Sequence, residues 1–304
     1  MCPAKMHDDE VDIDVSLVRR LVAAQFPQWA ALPIHPVASA GTANAIYRLG
    51  ADMAVRLPRT LEVTREVEKE HRWLPILAPL VPLAIPLPLG KGAPDEGYPW
   101  PWSVYRWLEG ETATIERISD PDQAANELAR FIAALERIDP VDGPPPGRHN
   151  FGRGVPLAMR DGRTRAAIVS VEGILDTVAV TEAWDVSLRA PTWGEPPVWI
   201  HGDLLPNNLL VEQGRLSAII DFGGLGVGDP ACDMLGAWSL FSGQARGAFR
   251  AQLSVDEATW IRGRGWALSV ALIALPYYRS TNPEFAALAT HMIDEVLADH
   301  RAST

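Results

Sequence analysis

Ile200-His201-Gly202-Asp203-Leu204-Leu205-Pro206-Asn207-Asn208-Leu209, followed by Ile219-Ile220-Asp221-Phe222-Gly223, is the most chemically dense part of the 304-residue chain. Moving a phosphoryl group needs a base that orients a hydroxyl and takes its proton, and oxygen ligands that hold magnesium against the phosphates. Asp203 and Asn208 lie five residues apart on what reads as a loop between two short strands, and Asp221 ends the partner strand of a hairpin. Three oxygen-bearing side chains then converge at one end of a small sheet. An Asp that ends a strand is usually a cap or a turn former, so the signal is carried by order, spacing and strand context together.

Working outward, Val198 to Ile200, Asn208 to Val211 and Leu216 to Ile220 read as short strands. Asp229 caps a helix with Pro230 at its first position, and the chain beyond is helical in pattern. Upstream, Asp120 with Pro121 starts a helix carrying Leu128, Phe131, Ile132 and Leu135 at helical spacing. Val141 to Val155 is a long Pro/Gly loop, either an insertion or a functional segment, and helical patterns return between Thr164 and Leu188. Near the start, Asp14 caps a helix with Leu17, Val18, Leu21 and Val22 on one face, ending before Pro27. Strand signals follow at Val37 to Ala40, Ala45 to Leu49 and Met53 to Leu57, with a charged helix over Leu61 to Leu74 and a proline-punctuated connection from Pro75. Apolar runs at Leu83 to Leu89 and Trp102 to Trp107 complete a small antiparallel sheet.

His201-Gly202-Asp203 with Asn208, Ile220-Asp221-Phe222-Gly223, and Gly228-Asp229-Pro230 with Asp233 resemble the aminoglycoside phosphotransferase family, relatives of choline kinases and protein kinases. The resemblance implies an α+β, bilobal protein-kinase-like fold. A small antiparallel-sheet N-lobe that binds nucleotide and ends in the hinge would occupy residues 1–108, and a larger, mostly helical catalytic and substrate-binding C-lobe residues 109–304. It also implies Asp203 as catalytic base, Asn208 and Asp221 as Mg2+ ligands, and His201, Asp229 and Asp233 as architecture. Leu205 and Asn207 stand where many members have His and Gly.

The first lobe is then expected to cradle ATP. Ser39 to Asn44, with Gly41, Thr42 and Asn44, can turn over the phosphates and present backbone N–H groups, although such a segment is equally an ordinary hairpin turn. Where protein kinases carry a lysine on the third strand, this chain has Arg56, which can fork phosphate oxygens. For its partner the candidates are Glu66, Glu68 and Glu70, of which Glu66 and Glu70 share a helix face. The resemblance favours Glu70, whose distance from Pro82-Leu83-Ala84-Ile85-Pro86 is similar to the family arrangement, with Glu66 second.

Composition bounds the partners. Apolar residues make up 47% and charged residues 21%, which excludes a disordered or fibrous chain. The net charge of −11 argues against nucleic acid held through its phosphates. The most apolar stretch, Trp266 to Tyr278, is shorter than the roughly 20 residues of a bilayer span, so no membrane is expected. Cys2 and Cys232 form no disulfide framework, and the acidic start is unlike a signal peptide, so a cytoplasmic location is expected. Through Leu108 there are 11 basic and 12 acidic residues, against 16 and 26 beyond it, a field that either steers a cationic small substrate or merely keeps the protein soluble. The small hydroxylated substrate that the resemblance implies is then expected to be neutral or cationic. Trp238, Trp260, Trp266, Tyr277 and Tyr278 either line a sugar cleft or pack the core. Asp256, Glu257, Glu284, Asp294, Glu295 and Asp299 are either ammonium contacts or solvated surface.

The expected activity is ATP-dependent O-phosphorylation of an aminoglycoside-like antibiotic. The alternatives are a metabolic kinase for a sugar or amino alcohol, a pseudokinase (prompted by Arg56), and a hydrolase using His201, Asp203 and Asp221 on a metal. No second histidine stands at ligand spacing for the last.

Overall fold

The computed structural model describes residues 11–37 and 43–303. The chain divides into two compact units, residues up to 79 with 84–109, and 80–83 with residues from 110 onward.

In the first unit, Asp14 accepts a hydrogen bond from Leu17 N (2.8 Å) and starts α1 (Val15–Gln25), which buries Leu17, Val18, Leu21 and Val22. Five antiparallel strands follow: β1 (Ile34–Pro36), β2 (Asn44–Leu49), β3 (Met53–Pro58), then, after α2 (Thr64–Leu77), β4 (Pro88–Gly92) and β5 (Trp102–Arg106). Their order in the sheet is β1-β2-β3-β5-β4. Period-two alternation sends Tyr47, Leu49, Val55 and Leu57 to one core with Trp102, Val104 and the apolar stripe of α1. Gly92 is set by that packing, because a Cβ there would lie 2.0 Å from the Trp102 ring.

Three sequence expectations are corrected here. The first strand is Ile34–Pro36 rather than Val37 to Ala40: Val37 follows it outside the strand, and 38–40 lie outside the described residues. The second helix runs through Pro75 to Leu77. A proline ring crowds the carbonyl four residues back, but burial of Trp73, Leu74 and Leu77 holds the last turn. The Leu83 to Leu89 run contributes only its end to β4, which extends to Gly92.

The second unit is mostly helical. It comprises β6 (Glu111–Thr112), α3 (Pro121–Glu136), α4 (Asp161–Ser170), α5 (Thr177–Arg189), β7 (Val198–Ile200), β8 (Leu209–Glu212), β9 (Arg215–Ile219), β10 (Gly226–Gly228), α6 (Gly236–Ser239), α7 (Gly243–Leu253), α8 (Glu257–Tyr278) and α9 (Pro283–Ser303). Asp120, Asp176 and Asp256 cap α3, α5 and α8 through their carboxylates. Two small antiparallel ladders sit among the helices, β6-β8-β9 and β10-β7. Trp238, Trp260 and Trp266 are buried core residues, whereas Tyr277 is exposed. No helix among the described residues is long and apolar enough to cross a membrane.

After β10, Asp229 caps a 3-10 helix, Pro230–Leu235, by accepting from Ala231 N (3.0 Å), and forms a buried fork with Arg262 of α8 (2.8 and 3.2 Å). Both side chains are 3% exposed. Removing one partner strands the other's charge, so Arg262→Ala is expected to lower unfolding free energy by about 3 to 5 kcal/mol. Arg165→Ala, which breaks half-exposed pairs with Asp161 and Asp185, should cost about 1 kcal/mol or less. Urea unfolding of the two variants checks this, and equal losses would contradict it.

Candidate active site

The site in the second unit is built from its buried end outward. Asp233, in the Pro230–Leu235 turn, is 1% exposed, and its carboxylate accepts from His201 N (2.7 Å) and Gly202 N (2.6 Å). Burial pushes its carboxyl up to about 7, against those two N–H groups, which favour the ionised form. His201 accepts from Asp203 N through Nδ1 (3.2 Å), which leaves the proton on Nε2 to donate to Ile220 O (3.1 Å). Its ring meets Phe222 edge-on at 4.5 Å. Both ring nitrogens are therefore engaged within the fold and His201 ligates no metal. Gly202 has φ +84°, and a Cβ there would stand 2.6 Å from Gly224 O and 2.9 Å from Arg153 Cβ, so the turn requires glycine.

These anchors deliver Asp203. Its Oδ2 accepts from Asn208 Nδ2 (2.9 Å), which also donates to the Asp203 carbonyl (2.9 Å), while Oδ1 accepts from Arg153 Nη2 (2.6 Å). Burial raises the Asp203 carboxyl and the Asp221 charge adds to that, whereas Arg153 and Asn208 pull the other way. Asn208 closes the Pro206–Asn208 turn, and its carbonyl accepts from Ile220 N (2.9 Å), continuing the β8-β9 register Leu209↔Ile219. Asp221 comes next, exposed, in the left-handed region (φ 62°, ψ 74°), its carboxylate accepting from Gly223 N (3.4 Å). A short polar side chain tolerates that conformation better than most. The hairpin thus brings Asp203, Asn208 and Asp221 together.

The donor chemistry fits a hard cation. With the Asn208 amide nitrogen committed to Asp203, its oxygen is the atom left to face an ion, although it also accepts from Asn207 Nδ2 (2.9 Å). Together with the Asp221 carboxylate this is an all-oxygen set of the kind Mg2+ takes alongside phosphates. An ion there would also relieve the repulsion between Asp203 and Asp221. Among the described residues no three His, Cys, Asp or Glu side chains cluster as a metal set.

A second polar cluster lies in the first unit. Arg56, on β3, donates from Nη1 to both oxygens of Glu70 (2.8 and 3.0 Å) and from Nη2 to Glu66 (2.9 Å). With its amide turned to satisfy both groups, Asn44 accepts from Arg56 Nη2 and Nε (2.9 and 3.0 Å). The Tyr105 hydroxyl donates to Glu70, and burial drives that phenol up. Glu66 and Glu70 therefore share Arg56, where the sequence pointed first to Glu70. Gly41 and Thr42 lie outside the described residues.

Two outcomes differ from a motif-only reading. Arg153 was not singled out, since nothing local marks one arginine in a Pro/Gly loop. Of the six acidic residues offered as ammonium contacts, four have partners within the unit: Asp256 caps α8, Glu257 pairs with Arg250, Glu295 with Arg246, and Asp299 with Arg264.

Solved structures share this fold. The GDP and kanamycin complex of APH(2")-IIia superimposes with a TM-score of 0.73 at 22% identity, over 93% of this chain and 98% of that one. A macrolide 2'-phosphotransferase type I gives 0.62 at 20% identity, covering 92% and 97%. Macrolide 2'-phosphotransferase MphH from Brachybacterium faecium, solved as apoenzyme, gives 0.61 at 19% identity, also covering 92% and 97%. No curated protein matches the sequence. Residues 35–267 match the model of the phosphotransferase enzyme family, and with the kinase-like α+β fold around them, the chain belongs to that family.

Proposed function

We propose that this chain is an ATP-dependent O-phosphotransferase that moves the γ-phosphoryl group to a hydroxyl of a small, aminoglycoside-like molecule, neutral or cationic. The observation that carries this reading is the convergence of Asp203, Asn208 and Asp221 on one hairpin in a member of this family. Similar structures were solved with GDP and kanamycin and with streptomycin and ATP, which supports a nucleotide donor and a hydroxylated acceptor. The reaction transfers between relatives more safely than the acceptor does.

In this mechanism Asp203 Oδ2 or Oδ1 accepts the proton of the acceptor hydroxyl as its oxygen attacks the γ-phosphorus, while the bond from that phosphorus to the bridging oxygen of the β-phosphate breaks and ADP leaves. Asn208 keeps the carboxylate turned toward that hydroxyl through Nδ2. Asn208 Oδ1 and Asp221 would hold Mg2+, which when bound neutralises charge on the phosphate oxygens. Arg56, set by Glu66, Glu70 and Asn44, which together take its five N–H groups, would serve the donor's phosphates with its positive charge and by exchanging one of these acceptors for a phosphate oxygen. Gly41 and Thr42 are proposed to offer backbone N–H groups to the same phosphates.

The decisive experiment is a phosphorylation screen with ATP and Mg2+ across kanamycin, streptomycin, a macrolide, sorbitol and ethanolamine, reading phosphorylated acceptor by mass. Asp203→Asn is expected to cut kcat by roughly 10² to 10⁴ with nucleotide binding retained, and Asp221→Ala to abolish productive Mg-ATP binding. Near wild-type turnover of Asp203→Asn would falsify the assignment of the base.

Arg56→Ala should lose about 1.5 to 3 kcal/mol of transition-state stabilisation, read as a fall in kcat/KM for ATP. Arg56→Lys should recover only part of it, because a point charge replaces a fork. Unchanged kcat/KM in Arg56→Ala would place the phosphates on another group. A cationic acceptor should also show kcat/KM falling with salt.

A further inference from the structure

We infer that Arg153 is a positioning residue of the phosphoryl-transfer site, holding the Asp203 carboxylate in the plane from which it receives the acceptor's proton. This rests on the proposed role of Asp203 as base.

Asp203 is gripped at both oxygens, by Asn208 at Oδ2 (2.9 Å) and by Arg153 at Oδ1 (2.6 Å). A carboxylate held at one oxygen pivots about its Cβ–Cγ bond. Held at both, it keeps one plane and still offers a second lone pair on each oxygen to an incoming hydroxyl. Arg153 pairs with Asp203, and among the described residues its buried Nε meets no acceptor.

The contact is built into the fold rather than being a chance meeting of surface chains. Asn150 is fully buried and knots the loop: its Nδ2 donates to Arg153 O (3.0 Å), its Oδ1 accepts from Gly147 N (2.9 Å), and its carbonyl accepts from Arg153 N (3.0 Å). Gly154, at φ +80°, pins the next residue, because its carbonyl accepts from Asp229 N (2.9 Å) and a Cβ would lie 2.6 Å from Ile200 Cδ1. On the other side, Gly202 leaves room for the Arg153 stem. The long Pro/Gly segment is thus a support that carries one cation to the base. An acceptor oxygen hydrogen-bonded to Asp203 Oδ1 lies within about 5.5 Å of Arg153 Nη2, the sum of the 2.6 Å contact and one ordinary hydrogen-bond length.

The test measures kcat and KM for Arg153→Ala with Mg-ATP and the fastest acceptor of the panel above, in the wild-type and Asp203→Asn backgrounds. The role predicts a fall in kcat of about 10- to 100-fold, the scale of a small misplacement of reacting groups. KM for ATP should stay within about two-fold, with partial recovery by Arg153→Lys or by added guanidinium. In the Asp203→Asn background, Arg153→Ala should change kcat by less than about two-fold, because Arg153 acts through that carboxylate. An equal loss in both backgrounds, an unchanged kcat, or a rise in kcat would overturn the role while leaving the proposed function standing. A wild-type enzyme that phosphorylates nothing in the panel overturns both. Should Arg153→Ala not fold, Arg153→Lys and Arg153→Gln carry the same comparison.

Discussion

The two hydrogen bonds from His201 N and Gly202 N to the buried Asp233 carboxylate are the constraint on which the second unit's chemistry depends. A carboxylate taken out of water is costly unless its oxygens are satisfied, so those contacts leave little freedom in where the turn at His201 and Gly202 lies. Asp233 is itself placed by the 3-10 helix that Asp229 caps, and Asp229 is locked to Arg262 of α8. A chain of polar contacts therefore runs from a long core helix to the loop that presents Asp203. His201 extends it sideways: one ring nitrogen accepts from the loop backbone and the other donates to the strand end beside Asp221. Two oxygen-bearing groups distant in sequence are kept in register by one neutral imidazole.

The first unit solves a different problem with the same means. A lysine offers a single point charge, whereas the Arg56 fork reaches two carboxylates of α2 and the amide at the start of β2 simultaneously. That geometry ties α2 and β2 to one side chain of β3, and the Tyr105 hydroxyl of β5 joins the cluster by donating to Glu70. Lysine is scarce in the whole chain, only Lys5, Lys69 and Lys91 being present. The substitution of a fork for a point charge thus accompanies a general preference for arginine, and the pairing with two acids is a consequence of the fork's shape.

Legibility followed the range of the interactions. Asp203, Asn208 and Asp221 were visible because one hairpin brings them together, and the caps at Asp14, Asp120 and Asp229 because a cap acts on the next few residues. Arg153 was invisible because its partner is 50 residues away and nothing in a Pro/Gly loop announces an ion pair. The extension of α2 past Pro75 was missed because tertiary burial of Leu74 and Leu77 outweighs a local helix-breaking signal. The acidic residues of the helical unit read as either ammonium contacts or solvated surface, and which of them are instead paired with arginines is settled only by packing.

The central claim is that Asp203 acts as a base in one direct displacement at phosphorus and never as a nucleophile. Transfer from ATP made chiral at the γ-phosphorus with oxygen isotopes and sulfur tests it most directly, by reading the configuration of the thiophosphorylated acceptor. A single in-line step with Asp203 receiving the proton gives inversion. Retention would mean two displacements through a phosphorylated enzyme group and would contradict the account.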